Sequence, residues 1–176
     1  MPTLVVHRPA PASGPVPVLY WIHVTDMIVK TARQAGFALV SVEGGLEDCY
    51  AGLVRTARHA ADAGMDPHRI VTGGSGVGGG LAAAMTLLAR ERSGPTLAGQ
   101  LLLNPALDGD SPASPPPTFI EVDAADPLRE QGVDYACRIW EAGGQAELHV
   151  WPDNPQEAVS REAMAARLVW LRRILG

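Results

Sequence analysis

The sequence predicts an α/β protein: a three-layer α/β/α sandwich around a mostly parallel sheet. Three observations carry that expectation. Strand-like and helix-like stretches alternate from end to end of the 176 residues. One of the strand stretches, VPVLYWIHV, is a nearly unbroken apolar run rich in β-branched and aromatic residues, the pattern of a strand covered on both faces. Each parallel neighbour requires a crossover, and helix-length segments stand between the strands to supply it. The length fits one domain, residues 1–176, large enough to bury a core.

In order, TLVVHRPA is a short strand stopped by proline, and APASGPVP a stiff connector. VPVLYWIHV is a buried strand. TDMIVKTARQAG is a helix that Thr25 or Asp26 caps and Gly36 stops. FALVSVE is a strand, and LEDCYAGLVRTARHAADAG an amphipathic helix with Leu46, Tyr50, Leu53, Val54 and Ala57 on one side. RIVTGG is a strand that turns through glycines into the helix GGLAAAMTLLARER. AGQLLLNPAL is a strand with a polar exit, and DGDSPASPPP a proline-rich loop. TFIEVDAADPL runs from strand to turn, REQGVDYACRIWEAGG is a helix closed by glycines, and AELHVWP is the last strand. The final helix, PQEAVSREAMAARLVWLRRIL, shows an apolar stripe at Ala163, Ala166, Leu168, Val169 and Leu171.

Composition narrows the function classes. A net charge of −5 gives no footprint for nucleic acid or an anionic membrane. Cys49 and Cys137 lie far apart, too few and too distant for a disulfide framework or a metal site, so both read as buried or half-buried thiols in a reducing cytoplasm. The N-terminal stretch lacks the features of a signal peptide, and no apolar run reaches the roughly 18 residues of a membrane span. The expected location is cytoplasmic.

In open parallel sheets, ligands sit at the carboxyl ends of the strands. Here those ends hold His23 to Asp26, Glu43 and Gly44, Gly74 to Gly78, Asn104 to Leu107, Asp123 to Asp126 and Pro152 to Glu157. The glycine turn admits three readings. A nucleophile elbow, G-x-S-x-G, fits Gly74-Ser75-Gly76-Val77-Gly78 only with glycine at the apex, and glycine carries no nucleophile. A dinucleotide cradle, G-x-G-x-x-G, fits Gly74, Gly76 and Gly79 and would bind NAD(P). It stands far from the first strand, and the next strand ends in asparagine instead of an acid. A purely structural turn needs only small residues, which Gly78, Gly79 and Gly80 supply.

From about Val5 onward the chain resembles the hormone-sensitive-lipase-like (acetyl esterase) branch of the α/β-hydrolases. DPHRIVTGGSGVGGGLAAAMTLLARERSGPTLAGQLLLNPALD and PPTFIEVDAADPLREQGVDYACRIWEAGGQAELHVWP carry the resemblance most strongly. It implies the α/β-hydrolase fold, with a lid that is missing or minimal because the loop after Asn104 is too short for lid helices. It also implies a Ser–Asp–His triad with an oxyanion hole built from glycine amides. Position by position, Asp126 stands as the triad acid, Gly76 in place of the serine and Gln156 in place of the histidine. Ser75 replaces the aspartate of the elbow, and His23 is followed by Val24, Thr25 and Asp26 instead of glycines.

Without a nucleophile, a titrating base or the oxyanion glycines, acyl transfer fails at three points. The expected function is therefore that of a non-catalytic homologue with no cofactor and no metal, serving in assembly or in small-molecule binding. The expected pocket comprises His23, Val24, Gly74, Gly76, Val77, Gln156 and Glu157. The alternatives are a hydrolase with Ser75 displaced into the nucleophile's role, supported by His23 or Asp126, and a NAD(P) protein using the Gly74–Gly79 turn. Asp126 with Glu157 forms a candidate carboxylate pair, and Asp126 can equally cap the helix behind Pro127. The resemblance also implies a homodimer or heteromer through the last strand and the helices carrying Trp140 and Trp170, residues that read first as core.

Overall fold

The computed structural model describes residues 3–7, 14–107, 115–152 and 157–176, with backbone alone at 157–159. Chain order is β1 (Leu4–His7), β2 (Val16–Ile22), α1 (Asp26–Ala35), β3 (Ala38–Val42), α2 (Leu46–His59) and β4 (Met65–Ser75). Then follow α3 (Val77–Glu91), β5 (Gly99–Leu103), β6 (Thr118–Asp123), α4 (Arg129–Glu141), β7 (Ala146–Trp151) and α5 (Glu157–Leu175). The seven strands form one sheet in the order β1-β3-β2-β4-β5-β6-β7. β1 runs antiparallel to β3 and every other pair is parallel. This is the predicted α/β/α sandwich.

Strand periodicity divides the core in two. Val18, Tyr20 and Ile22 of β2 face one layer, where they meet α2, α3 and α4. Leu19 and Trp21 face the other, against Ile28 and Ala32 of α1 and Trp170 and Leu171 of α5. Both sets are fully buried or nearly so, which explains why β2 reads as an unbroken apolar run. Hydrogen-bonded contacts between buried polar groups link elements. Thr72 of β4 shares a 2.9 Å hydrogen bond with Thr86 of α3, and Gln100 donates through Nε2 to Thr118 and Tyr135. Tyr20 donates to the carbonyl of Cys49 at 2.9 Å, tying β2 to α2.

The structure departs from the sequence reading in five places. β4 begins at Met65, because Met65 already pairs with Val16 before the apolar run starts. The buried face of α5 is Ala163, Arg167, Trp170, Leu171 and Leu175, while Val169 is 60% exposed. The true face is rotated from the apolar stripe because it includes an arginine, which an apolar count passes over. Trp170 is core, but Trp140 is 47% exposed and only its indole N–H is engaged, on the Ala146 carbonyl. Cys49 is buried as expected; Cys137 is exposed. Thr25 occupies the N-cap position of α1 without making a side-chain cap bond, while Gly36 closes the helix in the left-handed conformation. Among the described residues no helix is long and apolar enough to cross a membrane.

Candidate functional site at the strand-end cleft

The site begins with the central strand. β4 delivers Ser75 as its last residue, Gly76 forms the crest of the turn and Val77 opens α3. Gly76 has φ 55° and ψ −123°, a conformation that costs a residue with a side chain about 1–3 kcal/mol. Its peptide groups are tightly held. The N–H donates to Leu103 at 2.9 Å, and the carbonyl accepts from the N–H groups of Gly79 (3.0 Å), Gly80 (3.2 Å) and Ala106 (2.8 Å). A Cβ added at Gly76 would meet nothing within 4 Å, so the empty crest has room for a side chain. The glycines behind it do not. A Cβ on Gly78 would stand 2.8 Å from the Ile22 carbonyl, and one on Gly79 2.9 Å from Cβ of Pro105. The turn is thus elbow-like in backbone, pressed against its neighbours, with a glycine at its crest.

The other predicted residues scatter around this crest. His23 leaves β2 with φ 59°, its N–H bound to the Val42 carbonyl at 3.1 Å and its side chain exposed. No hydrogen bond joins it to Ser75 among the described residues. Val24 (38% exposed) and Val77 (67%) leave apolar surface beside the crest. Asp126 is half-buried and spends Oδ1 on the Leu128 N–H at 2.7 Å. It caps the turn, not the helix: α4 starts at Arg129, so Pro127 is not its first residue. Gln156 and the Glu157 side chain lie outside the described residues, and with them the Asp126–Glu157 pair.

A cavity of about 940 Å³ opens at the carboxyl ends of β4 to β7, on the side covered by α1 and α5. Ser75, Leu103, Asn104, Asp123 and Trp151 reach it from the strand ends. His23, Val24, Gly74, Gly76 and Val77, which the sequence placed in the pocket, are not on its wall. Asn104 and Asp123 clamp the ends of β5 and β6: Nδ2 of Asn104 donates to the carboxylate at 2.8 Å, and the Asp123 N–H donates back to Oδ1 at 2.7 Å. Trp151 continues a stack of rings, His149 lying 5.4 Å from it and 4.9 Å from Phe119.

Deeper in the same wall is an ion pair that the sequence reading missed. Arg167 of α5 grips Glu121 of β6 in a fork, Nε to Oε2 at 2.7 Å and Nη2 to Oε1 at 2.5 Å, with both residues 7% exposed. Nη1 contacts the Met27 sulfur at 2.7 Å. A signal was available: one glutamate inside the apolar strand TFIEVD, and one arginine at helical spacing within a buried face. Next to it, Glu147 accepts from His149 at 2.9 Å and pairs with Arg173. Burial opposes its ionisation, yet the hydrogen bonds from His149 and Arg173, together with the electrostatic attraction of the same two groups, outweigh that cost and hold its carboxyl below the ordinary range. Among the described residues no three metal-capable side chains converge.

Comparison with known proteins agrees with this geometry. A family model described as the alpha/beta hydrolase fold matches residues 40–115. Carboxylesterase NlhH of Mycobacterium tuberculosis is 36% identical over 100 residues, 57% of this chain and 30% of that protein. Esterase LipI of the same species is 26% identical over 150 residues, 59% of this chain and 47% of that protein. The matches thus span less than half the length of these curated relatives. Among solved structures, a bacterial heroin esterase superposes with a TM-score of 0.87 at 30% identity, covering 98% of this chain and 79% of that one. Esterase LipW from Mycobacterium marinum reaches a TM-score of 0.89 at 23% identity over 98% of this chain and 77% of that one, a likeness of fold. A dinucleotide fold is thereby displaced, since the glycine turn follows the fourth strand of a hydrolase sheet and β5 ends in Asn104. With an elbow-like turn on the central strand and a 30% identical esterase that matches 98% of this chain and is itself covered to 79%, the chain belongs to the α/β-hydrolase family, on its hormone-sensitive-lipase-like branch.

Proposed function

We propose that the chain is a non-catalytic α/β-hydrolase homologue that binds a small molecule at the strand ends instead of cleaving one. One observation carries this: Gly76 holds the backbone geometry of the elbow crest and has no side chain to attack with. Ser75, one residue earlier, points into the cavity and has no hydrogen-bonded histidine among the described residues, so nothing there raises its nucleophilicity. Asp126, in the triad acid's position, is engaged by a backbone N–H. The two free thiols favour the reducing cytoplasm as its location.

The test is hydrolysis of short p-nitrophenyl esters by the wild type and by Ser75→Ala. The expected result is the same background rate for both. A rate that disappears with Ser75 would restore the esterase reading.

A second role, assembly with a copy of itself or another subunit, is favoured by the exposed Trp140 beside the edge strand β7 and by exposed Val150 on that strand. Light scattering at several protein concentrations tests it, with a mass that stays at one chain as the refuting outcome.

A further inference from the structure

The cavity's charges are not evenly satisfied. Its three carboxylates are each compensated locally. Glu121 is gripped by Arg167, Asp123 accepts from Asn104, and Asp26 lies in the first turn of α1, where the helix N-terminus favours a negative charge. Its cations differ: Arg167 is spent on Glu121, and two others are not spent in this way. Lys30 on α1 and Arg161 on α5 both line the cavity, one on each helical wall, and neither forms an ion pair among the described residues. Between them the surface is apolar and adaptable, made by Met27, Leu103, Met164, Leu168 and Trp151. Thioethers lie on both walls, and Thr31, itself fully buried, donates to the Met164 sulfur at 3.1 Å. The volume of about 940 Å³ lies within the range of small-ligand sites.

We infer that this groove binds an organic anion with an apolar body, specifically a medium-chain monocarboxylate, with the tail over the methionine and tryptophan surface and the carboxylate between Lys30 and Arg161. The inference rests on the reading of the cleft as a binding site. It adds the ligand class and moves the binding surface away from the crest at Gly76 to the space between α1 and α5. A neutral ester would gain the apolar contacts and leave both cations as they are in the free protein, so charge discriminates the two.

The experiment is calorimetric titration of the full chain with octanoate, methyl octanoate and octyl phosphate. Octanoate is expected to saturate one site, with methyl octanoate about tenfold weaker, and binding should weaken with added salt because the cations are at the rim. Lys30→Ala and Arg161→Ala, both exposed positions, should each weaken octanoate about 2- to 5-fold, the effect of an exposed ion pair. Lys30→Glu/Arg161→Glu should abolish saturation. Octyl phosphate binding as tightly as octanoate would overturn the carboxylate assignment. The inference is also overturned by no saturable octanoate binding, by equal affinity for the methyl ester, or by affinity indifferent to both substitutions. Release of acid from methyl octanoate, followed in parallel, separates the two readings: turnover sinks the non-catalytic proposal alone, and absent binding without turnover sinks this inference alone.

Discussion

Placing a serine at residue 76 tests the central argument on stability and chemistry together. The space is there, since a Cβ at this position meets nothing within 4 Å. The cost comes from the backbone, held at φ 55° and ψ −123° by four hydrogen bonds that cannot all be kept if it relaxes. Such a conformation costs about 1–3 kcal/mol once a side chain is present. Replacing glycine also stiffens the unfolded chain, which returns about 0.4–1 kcal/mol. The net expectation for Gly76→Ser is a loss of about 1–2 kcal/mol, a fall in Tm of about 2–8 °C for a chain of this size. Gly76→Ala should cost nearly the same, because the strain does not depend on the hydroxyl. Urea melts of the three proteins measure both differences. In chemistry, Gly76→Ser alone should leave p-nitrophenyl acetate hydrolysis at background, because triad members act as a unit. Turnover should emerge only when Gln156→His, at the position the family resemblance assigns to the base, is added. A loss above about 4 kcal/mol would refute the open crest, and serine-dependent turnover by Gly76→Ser alone would refute the missing base.

Other expectations follow from side chains away from the crest. Arg167→Met should cost about 3–5 kcal/mol by leaving Glu121 buried and unpaired, whereas Arg167→Met with Glu121→Leu should recover most of it; additive costs in urea melts would contradict the pairing. Glu147 has its native pKa lowered, so its contribution is present above the ordinary carboxylate value of 4.5 and is lost as pH falls through the lower native one. Glu147→Gln should therefore destabilise at pH 7 and converge with the wild type in acid, and a gap that persists at pH 2 counts against the ion-pair account. Cys137 should react with a thiol reagent in the native state. Cys49, raised in pKa chiefly by burial, should react only on unfolding, and equal rates would contradict their placement.

Much of the architecture was legible because it follows from periodicity. A continuous apolar run marked β2, and the glycine-rich turn marked the passage from β4 to α3. Boundaries were less legible where pairing, not composition, extends an element: Met65 looks like loop until Val16 is seen beside it. The crest was legible from residue type alone, since a glycine where a serine belongs is a local fact. The cavity was not. Its wall joins residues of α1, β6 and α5 that lie far apart in the chain, and its most buried charges, Glu121 and Arg167, violate the hydrophobic pattern that a one-dimensional reading uses. An arginine at helical spacing is ordinarily counted as surface, and only its distant partner makes it core.

That pair changes how the molecule holds itself together. The layer of α2, α3 and α4 packs on the sheet through a large apolar cluster, while α5 is also fastened by two charged rivets, Arg167 to Glu121 and Arg173 to Glu147. Acid that protonates Glu147 removes the rivet at Arg173 and leaves oil alone. One wall of the groove therefore has a grip that the solvent can tune, and the amides of α5 near Arg173 are the ones whose exchange quickens as that carboxylate takes up its proton.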